Sequence, residues 1–262
     1  MHWNTASRVT TIIVGTVFIV LGLNVPTQTK AQTQGQINGP IFIPSEEQNI
    51  SGVWWTRSYS PEIELIDGTD LPLNEEGRAR HAENRATLEA DPLSDEARKF
   101  CTPDGVPRIL AAPYPFEILQ TPGFVTIIYE LNRVVRRISL DTPMPDDNTL
   151  LYFPYYSGHS VGHWEGDTLI VETAGYNDKT FIDATGAPHS NQLRTVERMR
   201  KLDDGRLEVE ITSTDPENFT AAFTATYFFD FHENVRIEDY TCGKPHRDIS
   251  HIIGVSPPGA QP

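Results

Sequence analysis

Leu207-Glu208-Val209-Glu210-Ile211-Thr212 alternates apolar and polar residues without a break. Successive side chains of a strand point to opposite faces, so this run reads as a β-strand with one buried face. A second strand follows, in which Phe223, Ala225, Tyr227, Phe229 and Phe231 alternate mostly with smaller or polar residues. These odd positions are expected to define an interior. Upstream, Asp203-Asp204-Gly205 is a turn signal. Through it, Arg194–Leu202 sends inward either Leu193, Glu197 and Met199 or Arg194, Val196 and Arg198. Either choice carries charge into the core.

The same period of two extends back to Pro115, and about eight strands can be counted from there. They are Phe116–Gln120, Phe124–Glu130, Arg133–Leu140, Thr149–Phe153, Ser160–Trp164, Thr168–Ala174, Arg194–Leu202 with Arg206–Thr214, and Ala221–Phe231. Short loops such as Leu131-Asn132 and Glu165-Gly166 join them. Before them, Gly52-Val53-Trp54-Trp55 opens an extended segment, and a Gly-x-Trp there is a feature of lipocalin-like barrels. Asn74 is placed to cap a helix running to about Glu89, stopped by Asp91-Pro92, and Ser94 to cap a second, shorter one. The expected fold is therefore mainly β: an antiparallel lipocalin-like barrel of about eight or more strands, with one or two short helices before the main meander. Closure would remove the exposed sheet edges; a sandwich is the other arrangement.

The first residues, Met1 to Ala31, have the form of a signal peptide: Arg8, an apolar run from Thr11 to Val25, and small residues Thr29 and Ala31. A flexible leader, 32–48, a single barrel domain, 49–245, and a C-terminal tail, 246–262, complete the organisation. The expected location is periplasmic or secreted. The formal charge of −15 becomes more negative without the leader segment, whose charged residues are Arg8 and Lys30. Such an excess of carboxylates argues against nucleic acid and anionic lipid as partners. Cys101 and Cys242, the chain's two cysteines, are a candidate disulfide in an exported protein; separate thiols are the alternative.

Two polar positions interrupt the apolar faces. If Leu131-Asn132 is a two-residue loop, Tyr129 lies opposite Val134, Ile127 opposite Arg136 and Val125 opposite Ile138. Arg136 then sits amid Val125, Ile127, Tyr129, Val134, Ile138 and Leu140. It needs either an internal carboxylate such as Glu197 or a ligand anion. Pairing through Glu165-Gly166 sets Trp164 opposite Asp167 and His159 opposite Glu172, an imidazole–carboxylate pair suited to a general base. His159 and His163 are about 13 Å apart along a strand, too far to chelate one metal ion. No phosphate loop, nucleophile elbow or dinucleotide fingerprint is present, so neither metal nor cofactor is expected.

The run Gly158-His159-Ser160-Val161-Gly162-His163-Trp164-Glu165-Gly166-Asp167-Thr168-Leu169 resembles the signature of a large family of exported bacterial lipocalin-like β-barrel proteins. Further matches are Cys101-Thr102-Pro103, Pro107-Arg108, Tyr129-Glu130, Arg136-Arg137-Ile138, Pro188-His189-Ser190, Glu197-Arg198 and Asp215-Pro216. The resemblance implies the fold and export, and no particular reaction. Together these readings predict a cofactor-independent enzyme acting by acid/base chemistry on a small hydrophobic or aromatic molecule, of isomerase, lyase, hydratase or cyclase type. His159, Glu172 and Tyr129 are its candidate catalytic residues. Arg136, Glu197, Glu130, His189 and Trp164 are its candidate substrate-binding residues. The alternative is a non-catalytic periplasmic carrier of an apolar small molecule.

Overall fold

The structure, a computed structural model, describes residues 45–56 and 58–240, which belong to one unit. The expected signal peptide, most of the leader, Cys242 and the tail lie outside the described residues. Nine strands form a closed barrel in chain order. They are β1 (Gly52–Thr56), β2 (Phe116–Thr121), β3 (Phe124–Tyr129), β4 (Val135–Leu140), β5 (His159–Glu165), β6 (Thr168–Ala174), β7 (Arg194–Lys201), β8 (Leu207–Thr214) and β9 (Phe223–Phe231). β1 closes onto β9, with Trp54 opposite Phe231. The protein is thus mainly β, with the lipocalin-like closure that the alternation implies.

The alternation at β8 and β9 places Leu207, Val209, Ile211, Phe223, Ala225 and Phe229 in the buried interior. Phe231 departs from it: at the strand's end its ring is 45 % exposed and lies edge-on to Trp54 at 5.3 Å. On β7, the set that turns inward is Thr195, Glu197 and Met199. The β3–β4 hairpin has the expected register, Val125 opposite Ile138 and Ile127 opposite Arg136.

Three expectations need correction. The stretch Thr149–Phe153 is not a strand; it falls mostly within helix α3 (Asp147–Tyr152), where the Asp146 side chain accepts a hydrogen bond from the Thr149 N–H at 2.8 Å. Five residues are too few to separate a period of two from one of 3.6, and the cap decides. Because α3 carries the chain back along the barrel, β4 and β5 pair in parallel, Ile138 opposite Ser160, so the barrel is mixed rather than wholly antiparallel. Finally, the β5–β6 turn is Gly166-Asp167, with Glu165 opposite Thr168. Gly166, at φ +63°, supplies the positive φ that such a tight turn requires. The register therefore differs by two residues: Val161 faces Glu172, and His159 faces Ala174.

Helix α1 (Glu75–Ala90) begins as expected, with Asn74 Oδ1 accepting from Gly77 N–H at 2.8 Å. A Cβ at Gly77 would come within 2.3 Å of the Asn218 carbonyl oxygen, so glycine lets the helix dock on the β8–β9 loop. The shorter α2 (Glu96–Phe100) is capped by Asp95 rather than Ser94. The end of the leader also joins the fold: the Gln120 side chain donates to the Gln48 carbonyl at 3.0 Å.

Strand direction divides the barrel into two unlike ends. At one, the turns 122–123, 166–167 and 202–206 are short. At the other lie 58–115 with α1 and α2, 130–134, 175–193 and 215–222. Among the described residues, Cys101-Thr102-Pro103, Pro107-Arg108, Pro188-His189-Ser190 and Asp215-Pro216 lie in connections at this long-loop end.

Inside the barrel, Arg136 of β4 and Glu197 of β7 form a bidentate ion pair, both buried. Breaking a buried pair leaves an uncompensated charge, whereas replacing both partners by apolar groups does not. Glu197→Ala is expected to cost about 3–5 kcal/mol in urea unfolding. The double replacement Arg136→Met with Glu197→Leu should recover most of that, since Ser160 and Thr173 still partner each other at 3.0 Å. Equal losses in the single and double variants would show that the pair is not what holds the interior.

Candidate functional site

Within the bore, the Arg136 guanidinium is fully engaged. Its Nη1 and Nη2 donate to the two Glu197 oxygens, Nε to Ser160 Oγ at 3.1 Å, and Nη2 also to Thr173 Oγ1 at 2.9 Å. Of the two partners that the sequence left open, the internal carboxylate is the one present. Tyr129 lies beside this group, its hydroxyl buried without a hydrogen bond of good geometry among the described residues. Burial raises the Tyr129 hydroxyl to about 12, despite Arg136. Tyr176, which sequence reasoning missed, donates or accepts at Thr195 Oγ1 (2.7 Å) and also lies near the pair. Burial raises its pKa as well. These groups, with Trp164 packed against the same core, brace the interior.

The other predicted residues stand elsewhere. Ser160 faces inward to Arg136, so its neighbour His159 faces outward, as does Glu172 two positions along the paired strand. Glu172 is exposed. His159 Nε2 is 2.7 Å from the Phe153 carbonyl, with its ring against Tyr155 at 4.7 Å. The wall of the barrel thus separates His159 and Glu172 from Tyr129, Arg136 and Glu197, so the structure does not bring the candidate catalytic residues together. Glu130 lies at the rim and accepts the Glu238 N–H at 3.0 Å.

His189 is buried in the long-loop end, between Thr180 Oγ1 at 2.7 Å and the Ser190 carbonyl at 3.0 Å. Beside it, Asp215 accepts from both the N–H and hydroxyl of Ser190 at 2.7 Å and from Asn218 Nδ2 at 2.9 Å. These bonds tie the 175–193 loop to 215–222.

The same end contains a second buried charge cluster. The segment from Asp95 to Arg108 folds back so that Arg108 Nη2 reaches Asp95 Oδ2 at 2.5 Å and Nε reaches Asp104 Oδ1 at 3.2 Å. Gly105, at φ +76° and too close to Thr180 Oγ1 to carry a Cβ, allows the tight bend between Asp104 and Arg108. Arg98 Nε lies 3.5 Å from Asp95. Asn132 donates to Asp104 Oδ2 at 3.3 Å and to the Thr102 carbonyl at 2.9 Å. The third Arg108 nitrogen, Nη1, is buried with no partner among the described residues.

Asp104 and Arg108 line a narrow, half-open cleft with a cavity volume of about 60 Å³. Tyr59, Tyr114 and Tyr240 supply its aromatic walls and Ala112, Leu131 and Ala184 its apolar ones. Charges are balanced: two arginines against two aspartates. A largely apolar pocket with few convergent polar groups is the usual form of a small-molecule site. Sequence reading missed it because the lining comes from six separate segments. The signal available was Arg108 within the apolar run Val106–Leu110, the same anomaly that pointed to Arg136.

No family model and no curated protein matches this chain. The resemblance therefore rests on Gly158–Leu169 and the shorter motifs that accompany it.

Burial holds the His189 imidazole below its ordinary value of 6.5, although Ser190 and Asp215 pull the other way. In the folded protein it stays neutral where the unfolded chain takes up a proton. Its contribution to stability is therefore full above about pH 6.5 and falls toward acid, by at most about 1.4 kcal/mol per pH unit, until the folded imidazole also titrates. His189→Gln is expected to flatten the dependence of unfolding free energy on pH between about 7 and 5 relative to wild type. Identical slopes would show that His189 does not titrate differently in the two states.

Proposed function

We propose that this is an exported binding protein for a small, flat, hydrophobic or aromatic molecule, held in the long-loop-end cleft rather than in the barrel bore. The observation that carries this reading is a mostly apolar, aromatic-walled cleft on which the few polar side chains Arg98, Asp104, Arg108 and Asn132 converge. Because Asp95 and Asp104 already balance Arg98 and Arg108, the ligand that fits carries no net charge. Export is supported by the composition of Met1–Ala31.

The bore offers less. Its interior positions are occupied by core side chains, and Arg136 spends its donors on Glu197, Ser160 and Thr173. The acid/base enzyme built on His159 and Glu172 loses its geometric basis, because both residues lie outside the barrel wall. Binding at the loop end keeps the hydrophobic partner of the sequence reading and changes the place.

Native mass spectrometry of protein purified gently from its own cells tests this. Wild type should retain a small molecule, and Ala112→Trp, which fills the cleft, should lose it while melting within a few degrees of wild type. Retention of the same molecule by Ala112→Trp would place the ligand elsewhere.

A further inference from the structure

Thr56, at the end of β1, lies opposite Phe229, and the chain meets β9 again at Leu65, opposite Ala225. The segment 58–64 is longer than the β9 positions between those contacts, Thr226, Tyr227 and Phe228, so it bows away from the barrel wall. Beside the bow is a half-open pocket with a cavity volume of about 330 Å³. That is within the range of small-molecule sites. The pocket is distinct from the cleft beside Arg108 and has Ala111 in common with it.

Its polar lining offers mainly acceptors. Thr56 Oγ1 gives its proton to the Ser58 carbonyl and Ser60 Oγ gives its own to the Glu62 carbonyl, each at 2.8 Å, which leaves their lone pairs. The Ile63 N–H is taken by Asp183 at 3.2 Å. Glu62 and Glu64, when ionised, only accept. Glu62 has a loose contact with Arg85 at 3.8 Å, and Glu64 has no ion-pair partner among the described residues. Tyr227, whose ring packs against the core, adds a hydroxyl with no hydrogen-bond partner among the described residues. Burial, with Asp183 and Glu64 nearby, pushes its pKa up and keeps it a neutral O–H. Arg206, the cation among the described lining residues, is already engaged: Nε and Nη2 reach Asp204 at 2.8 and 2.7 Å, and the guanidinium lies 4.9 Å from the Phe228 ring.

We propose that this pocket binds a small organic ammonium ion, whose N–H groups are received by the Glu64 carboxylate and the Tyr227 hydroxyl, with Glu62 as a second negative charge and Phe228 and Ala111 against its apolar body. The site goes beyond the binding reading above and does not depend on it. An anion would meet two carboxylates and an arginine already spent on Asp204. A ligand without N–H groups would leave the acceptors unanswered. Hydrogen bonds between an ammonium and a carboxylate are charge-assisted and stronger than neutral ones.

The probe is benzylammonium, compared by calorimetric titration with benzyl alcohol, which lacks the charge, and with benzoate, which reverses it. Wild type should bind benzylammonium at least about tenfold more tightly than either. Glu64→Gln changes an exposed side chain with little change of shape, and should weaken benzylammonium about three- to fivefold. Tyr227→Phe should weaken it about two- to tenfold. Both variants should melt within a few degrees of wild type, because neither removes a group that holds a partner. Wild-type affinity in either variant would overturn the proposal. So would benzyl alcohol or benzoate binding as tightly as benzylammonium, or no binding of benzylammonium at about 10 mM. If Tyr227→Phe does not fold, the Glu64→Gln titration decides alone.

Discussion

The ion pair between Arg136 and Glu197 is the constraint around which the rest of the barrel is arranged. A guanidinium and a carboxylate buried together in a protein interior are tolerated only with near-complete hydrogen bonding. That demand reaches four strands: β4 and β7 carry the charges, and Ser160 of β5 and Thr173 of β6 complete the set. Tyr129 and Tyr176 lie close enough to respond to both charges. A bore braced in this way is a poor receptacle for a ligand, because any acceptor brought to Arg136 would have to displace a carboxylate that is already well placed.

Function is thereby directed to the end where the connections are long. Loops positioned by a rigid scaffold are where binding residues concentrate, and here the loops are themselves tied down. Asp215 fastens the 175–193 loop to 215–222, Asn218 receives α1, and Arg108 gathers Asp95 and Asp104. Both buried arginines solve the same electrostatic problem, with different results. Arg136 is saturated and structural; Arg108 keeps one donor unspent beside an apolar cleft.

Much of the barrel was legible in the sequence, because a period of two with one buried face fixes both strand and register wherever the turn is unambiguous. The β3–β4 hairpin and the inward face of β8 followed from that logic, and Glu197 was named within one of the two alternatives it left open for Arg136. The β5–β6 register did not, since Glu165-Gly166-Asp167 offers more than one turn and only Gly166 adopting positive φ selects between them. The resulting shift removed His159 from Glu172, and the inward Ser160 placed both on the outer surface. Helix α3 was hidden by the shortness of its run, and with it the parallel β4–β5 pair. The cleft had no periodic signature: Tyr59, Ala97, Tyr114, Asn132, Ala184 and Tyr240 meet only because the barrel is closed and its loops fold over one end.

The most direct test of a braced bore and a working loop end is a crystal structure of the protein purified gently from its own cells with the small molecule it retains. The account predicts that molecule between Tyr59, Tyr114 and Leu131, with the Arg136–Glu197 pair unchanged. A molecule found inside the barrel, with Arg136 turned from Glu197 to meet it, would contradict the account.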